Sequence, residues 1–186
     1  MVVLNKIYTR TGDDGTSALG TGERRPKSDL RFAAMGTIDE TNAAVGLARL
    51  DCEGELDGML ARIQNDLFDL GADLAVPAAE GKRERLRVSV AQVTRLEAEI
   101  DQLNADLAPL TSFVLPGGTR LAAALHLCRT VARRAERVMV ELADREAVTP
   151  EALRFINRLS DFFFVAARFA NDRGAGDVLW TPGENR

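Results

Sequence analysis

The stretch Thr149–Asn171, TPEALRFINRLSDFFFVAARFAN, decides the fold. Thr149 supplies an N-cap and Pro150 stands in the first turn, where a missing N–H leaves no hydrogen bond unmade and a fixed φ suits a helix. Beyond them, Phe155, Phe162, Phe163, Phe164 and Phe169 cover more of the helix circumference than one core-facing stripe requires, in a chain whose Phe, Trp and Tyr make up only 5% of residues. A helix with two buried faces is either central in a bundle or contributes to a subunit interface.

Outward from this helix the chain repeats the same kind of element. From Ser28 onward it reads as long amphipathic helices rich in Ala, Leu, Arg and Glu, separated by short breaks. The first starts near Ser28 or Asp29 and runs through Ala34, Ile38, Val45 and Leu47 to about Leu50; the second covers roughly Glu55 to Ala75. Pro77 to Lys82 reads as a connection. Leu86, Val90, Val93, Leu96, Ile100 and Leu103 then recur at spacings of three and four in a third helix. Pro109 to Thr119 is a break, Leu121 to Ala143 gives the fourth helix, and the aromatic stretch is the fifth. Short connections between five helices predict an all-α, five-helix up-down bundle. An irregular glycine-rich segment, residues 1–27, precedes it.

Composition narrows the rest. A chain of 186 residues with 46% hydrophobic content buries one substantial core and falls in the single-domain range. A formal charge of -4, from 24 basic and 28 acidic residues, offers no long-range attraction to nucleic acid or to an anionic membrane. Any phosphate site must be local. Cys52 and Cys128 lack CxxC spacing and a neighbouring His, which predicts two free thiols and neither a zinc site nor a disulfide framework. Met1 to Arg10 lacks the apolar region of a signal peptide and no apolar run is long enough to span a membrane, so a soluble, reducing compartment is expected, the bacterial cytoplasm.

Three constellations carry candidate chemistry. In Thr9-Arg10-Thr11-Gly12-Asp13-Asp14-Gly15-Thr16-Ser17 and Gly22-Glu23-Arg24-Arg25-Pro26-Lys27, glycines let backbone N–H groups turn toward an anion while hydroxyls, Arg10 and Lys27 add donors and charge. The alternative is a plain hairpin turning at Asp14-Gly15 between Ile7-Tyr8 and Ala18-Leu19. The segment is neither a P-loop nor GxGxxG. On the fourth helix Arg129, Arg133 and Arg137 recur every four residues, a row of like charges that repels itself unless anions meet it. Those anions are carboxylates of other helices or a polyphosphate, which the guanidinium fork recognises; a solvated stripe is the alternative. Glu136, on nearly the same face, can hold a guanidinium or contact a nucleotide or its magnesium. Asn157 and Asp161 place two polar groups together on the aromatic helix, for helix-to-helix hydrogen bonds or for a ligand. Asp39-Glu40 on the first helix can pair with the arginine row. Phe113 lies in the loop entering the arginine-bearing helix and is otherwise a core residue. The lone His126 has no ExxH companion, which argues against the di-iron site of ferritin-like bundles.

TRTGDDGTSALGTGERRPK, GTIDETNAAVGLAR, FVLPGG, RTVARRAERV and FINRLSDFFFVAARFAN together resemble, in order and across nearly the whole chain, the PduO-type ATP:cob(I)alamin adenosyltransferases. The resemblance implies a ferritin-like, cobalamin-adenosyltransferase-like bundle, one domain over 1–186 with 1–27 binding ATP and 28–175 forming the helices. It implies a homotrimer with active sites between adjacent subunits, which would account for the second buried face of the fifth helix. The activity implied is transfer of the 5′-deoxyadenosyl group of ATP to the cobalt of cob(I)alamin, giving adenosylcobalamin and triphosphate. Magnesium would be bound through the phosphates, with no protein metal site.

Carried over by position, Thr9, Arg10, Thr11, Gly12, Ser17, Ala18 and Lys27 bind ATP with Arg133, Arg134, Glu136, Arg137 and Asn157. Arg129 pairs with a neighbouring subunit's aspartate, for which Asp39 is the counterpart, and Arg133 and Phe113 complete the catalytic set. Phe113 matches an aromatic that sits beneath the corrin and excludes the lower axial base, leaving cobalt four-coordinate. A reductase and an adenosylcobalamin-dependent acceptor are the further partners implied. Arg10 and Thr41 depart mildly from the family pattern, and Val178 to Arg186 carries no assignable corrin contact. An ATP-sensing or cofactor-delivering trimer without turnover would use the same nucleotide residues.

Overall fold

The computed structural model describes residues 7–77 and 85–186. Five helices follow a short ribbon. The ribbon pairs β1 (Thr16–Ala18) antiparallel with β2 (Arg24–Pro26), with Ser17 opposite Arg25. The helices are α1 (Leu30–Arg49), α2 (Gly54–Leu74), α3 (Val90–Asn104), α4 (Arg120–Ala143) and α5 (Pro150–Ala170). Residues 78–82 of the expected connection, and the first six residues, lie outside the described range.

Cross-helix pairs fix the directions. Arg31 meets Glu146, Glu40 meets Arg134 and Asp51 meets Arg120, so α1 and α4 run against each other. Arg49–Asp57 and Asn42–Gln64 set α2 against α1, and Arg62–Glu99 with Arg95–Asp66 sets α3 against α2. Glu136 meets Asn157 and Thr119 meets Ala170, so α5 returns against α4. Successive helices therefore alternate up and down.

The aromatic helix is central. It packs against α4 and α3 and touches α2, and Phe155, Phe162 and Phe163 are fully buried, the last two meeting edge to face at 5.9 Å. Each such burial is worth about 1.5–3 kcal/mol over leaving the ring in water. The second buried face is thus covered within the chain, and a subunit interface is not needed to explain it. Phe164 and Phe169 are only half-buried.

Local signals account for the boundaries. Asp29 accepts from Arg31 N to open α1. The third helix starts at Val90 and not at Leu86: Ser89 and Gln92 form a capping box, while Leu86 is exposed and Arg87 and Val88 are held extended by the buried carboxylate of Asp73. Thr149 precedes α5 but does not cap it, since its hydroxyl donates to Asp73 Oδ2 at 2.8 Å. Leu47, read as inward, is exposed on α1. Cys52 and Cys128 are buried free thiols. Among the described residues no helix is long and apolar enough to cross a membrane.

Candidate active site

The N-terminal arm is folded around its own turns. Gly15 N donates to Gly12 O and Lys27 N to Gly15 O, while Asp14 Oδ1 accepts from both the backbone and the hydroxyl of Thr16. A Cβ at Gly12 would stand 3.0 Å from Lys27 Nζ, so glycine there lets the ammonium lie against the turn. Thr9 and Thr11 hydroxyls are 2.9 Å apart, and Arg10, at φ 64, lies over the Tyr8 ring. That left-handed conformation costs a non-glycine residue roughly 1–2 kcal/mol. The hairpin alternative is half right and misplaced. A ribbon exists, but it reverses over residues 19–23, and Asp14-Gly15 lies ahead of it. Thr9, Arg10, Thr11, Gly12, Ser17, Ala18 and Lys27 thus share one small unit with hydroxyls, N–H groups and two cations close together.

On α4 the arginine row has a common face and few partners. Among the described residues, Arg129, Arg133 and Arg137 have no carboxylate within ion-pair distance; Arg137 Nη1 donates to Arg133 O at 3.0 Å. Arg134 alone is neutralised, by Glu40 on α1. Arg129 is half-buried and donates through Nε to His126 Nδ1 at 3.4 Å; burial, and then the charge of Arg133, pushes its guanidinium below the usual value. His126 is buried and held below its ordinary value first by burial and then by Arg129, so its imidazole stays neutral and can accept. It is a core histidine that backs the row. Glu136 accepts from Asn157 Nδ2 at 2.7 Å, and Asn157 Oδ1 accepts from Arg158, tying the row to α5. Asp161 beside them is raised, by burial first and by Glu136, against the opposing pull of Arg158 and Arg133.

Asp39 does not meet the row in its own chain. It is exposed at the edge of an apolar groove of about 490 Å³ between α1 and α2, with Met35, Ile38, Leu67 and Phe68 in the walls. Asn42, also lining it, has a buried Oδ1 without a partner among the described residues.

Phe113 is not a core residue. It is 76% exposed, at the mouth of a second cavity of about 490 Å³ lined also by Leu110, Ser112, Val114, Arg129 and Phe164. The loop is fixed by a partner the sequence did not disclose, the segment 178–180. Leu115 N donates to Val178 O, Trp180 N to Phe113 O and Ser112 Oγ to Trp180 O, and the Trp180 ring meets Phe113 edge-on at 5.9 Å. Only Trp180, as an aromatic outside the helices, hinted at this, since three residues are too few to show a period.

The arm and the Phe113 wall sit at different heights along α4. The Phe113 loop runs into the start of α4 and shares its cavity with Arg129, whereas the arm docks beside the far end, where Arg25 Nη1 meets Glu146. From Arg129 to the end of α4 at Ala143 is about 21 Å at 1.5 Å per residue. Arg133 and Arg137 lie between.

Known proteins resemble this chain along nearly its whole length. The family model described as cobalamin adenosyltransferase matches residues 7–170. A corrinoid adenosyltransferase of Mycobacterium tuberculosis (strain H37Rv) is 47% identical over 190 residues, covering 100% of this chain and 97% of the relative. The human corrinoid adenosyltransferase is 42% identical over 174 residues, covering 90% of this chain and 69% of the relative. The solved structure of a variant PduO-type ATP:corrinoid adenosyltransferase from Lactobacillus reuteri, complexed with cobalamin and ATP, superposes with a TM-score of 0.89 at 40% identity, covering 95% of this chain and 97% of that one. A family model matched over residues 7–170 and relatives matched along nearly the whole length of the bundle place the chain in the cobalamin adenosyltransferase family.

Proposed function

We propose that this enzyme transfers the 5′-deoxyadenosyl group of ATP to the cobalt of cob(I)alamin, at a site that two copies of the chain build together. The lone pair of cob(I)alamin attacks C5′ as the C5′–O bond breaks, its electron pair leaving on triphosphate, so the products are adenosylcobalamin and triphosphate. No proton moves, and no general base is required.

The observation that carries the reading is the row Arg129, Arg133 and Arg137 without carboxylate partners. Charge develops on the leaving triphosphate, and fixed guanidinium groups stabilise it without reorganising. Arg133, Arg134, Arg137, Glu136 and Asn157 are the nucleotide contacts on α4 and α5, and Thr9, Arg10, Thr11, Gly12, Ser17, Ala18 and Lys27 those on the arm. Among the described residues no cluster of three His, Cys, Asp or Glu side chains is arranged to hold a metal ion. Glu136 is engaged by Asn157. In this reading Mg2+ would be held through the phosphates, where it would supply charge neutralisation.

Phe113 stands exposed where a corrin face can rest on it, and in this reading it excludes the lower axial base and leaves cob(II)alamin four-coordinate before reduction. The distance between the arm and the Phe113 loop favours a shared site: one chain's arm faces the neighbour's wall. A homotrimer is the assembly proposed, with Asp39 of one copy meeting Arg129 of the next, and with the groove beside Asp39 covered by that neighbour. We take 1–186 as one domain with 1–27 as its ATP segment, working in the cytoplasm with a reductase and an adenosylcobalamin-dependent acceptor.

The test is to follow the corrin absorbance with ATP, magnesium and a reductant. The expected result is alkylcobalamin and triphosphate in equal amounts; no ATP-dependent alkylcobalamin would refute the reading. Phe113→Ala should lower turnover roughly a hundredfold, the scale of a misplaced reacting group, while ATP still binds. Loss of ATP binding in that variant would assign the wall wrongly.

A further inference from the structure

The ribbon that carries the arm is too small to hold its own position. Two strands of three residues, β1 and β2, are marginal in water. Three anchors tie it to the bundle. Leu19 is buried, Gly20 N donates to Ala75 O at 2.8 Å, and Arg25 Nη1 donates to Glu146 Oε1 at 2.7 Å. A Cβ at Gly20 would lie 2.8 Å from Val76 Cγ2, so that turn is pressed onto the end of α2. The first two anchors hold the turn; the strand that leads on to Lys27 is held by the Arg25 side chain, beside the backbone bond from Asp29 N to Pro26 O at 2.9 Å.

Glu146 is built to receive that side chain. It sits just past the end of α4, where its backbone N–H donates to Leu142 O at 2.8 Å. Its second oxygen accepts two bonds from Arg31, from Nε at 2.9 Å and Nη2 at 2.7 Å, and Arg31 Nη1 donates to Leu74 O at 2.7 Å. Arg31 is 1% exposed. A guanidinium so buried is costly unless every edge is paired, and here each edge is committed to fixing one carboxylate among α1, the end of α2 and the end of α4. Arg25 is also held in line by Glu23, Nε to Oε1 at 2.7 Å, with Asp29 Oδ2 at 3.6 Å. Burial raises Glu146, but the hydrogen bonds from Arg31 and Arg25 outweigh it and keep the carboxyl below its usual value, charged and ready to pair.

Arg25 lies opposite Ser17 in the ribbon, and Lys27 follows two residues on with its N–H on Gly15 O at 2.8 Å. We infer that Glu146, fixed by the buried Arg31, is a positioning residue for ATP, setting through Arg25 the place of Ser17 and Lys27 before the nucleotide arrives. This rests on the reading of the arm as the ATP segment. It adds Glu146, Arg31 and Arg25, none of which reaches substrate, and it locates the source of the arm's order in the bundle. Pre-ordering an otherwise mobile arm lowers the cost of binding, and its loss acts on affinity before it acts on the chemical step.

Arg25→Met tests it, because Glu146 keeps its pairing with Arg31 and the core is untouched. KM for ATP should rise about tenfold, the scale of a lost charged hydrogen bond. Turnover at saturating ATP and KM for the corrinoid should stay within about twofold of wild type. The rise in Tm on adding MgATP should shrink, and Arg25→Lys should recover part of the loss by keeping the charge. Arg145→Gln, which breaks the exposed Arg145–Glu141 pair on the neighbouring turn, should leave all three kinetic constants as they are. An Arg25→Met enzyme whose KM for ATP does not rise, or whose constants all worsen together, overturns the positioning role. A wild-type protein that makes no ATP-dependent alkylcobalamin overturns instead the reading on which the role rests.

Discussion

Arg129 shows how much a single side chain can say about the surroundings it needs. Half-buried beside His126, with Arg133 one turn on and no carboxylate within ion-pair distance among the described residues, it leaves its charge open to an anion from outside the chain. His126 and Glu146 both have folded-state values below their ordinary 6.5 and 4.5. In each case the unfolded chain takes up the proton first, so stability is whole above those ordinary values and is lost as pH falls through the folded ones. Thermal melts should therefore show Tm falling as pH drops below 6.5, with His126→Phe reducing the fall between 6.5 and 4.5. A Tm flat across that range would contradict the assignment. Thiol chemistry offers a separate check. Cys128 is pushed up to about 12 by burial, and Cys52 is raised by burial and by Asp57. The native protein should react with a thiol reagent far more slowly than the unfolded chain, which should yield both cysteines. Rapid native labelling would show that α4 or the turn after α1 opens.

Helices were legible because their signals are local and repeated. The cap at Asp29, the proline opening α5 and the apolar periods are all properties of a few adjacent residues. The third helix marks the limit: Leu86 continues the period of Val90 and Val93, yet Ser89 and Gln92 cap the helix after it, because a reciprocal cap satisfies backbone donors that an exposed leucine cannot. Ser89→Ala should lower stability by about 1 kcal/mol in urea unfolding, the usual cost of an N-cap. No change would mean that Asp73, holding Arg87 and Val88, sets the boundary unaided. The aromatic count on α5 indicated a central helix but not which rings stay partly open, since Phe164 differs from Phe163 only in what lies over it. Contacts between distant segments were illegible for the same reason. The pairing of 112–115 with 178–180, and of Arg25 with Glu146, depends on where α4 and α5 end in space, and neither 178–180 nor Glu146 carries a motif.

At the scale of the whole molecule, the bundle holds the N-terminal arm and the Phe113 wall apart. The arm is anchored beside the end of α4 and the Phe113 wall beside Arg129, about 21 Å back along the helix at helical rise. The arm, the arginine row and Phe113 could be picked out as candidates in the sequence; their spread along α4, with the arm at one end and Phe113 beside Arg129, could not. Solution mass should therefore correspond to three chains, and Asp39→Arg, placing like charge opposite Arg129 of a neighbour, should shift it toward monomer and abolish turnover. The most direct test mixes two inactive variants. Lys27→Ala disables the arm and Phe113→Ala the wall, so each alone should be nearly inactive with saturating corrinoid and limiting ATP. Co-expressed chains should regain a clear fraction of wild-type adenosylcobalamin formation, because some sites combine the intact arm of one chain with the intact wall of another. If the mixture stays as inactive as its components, arm and wall belong to one chain and the shared site is wrong.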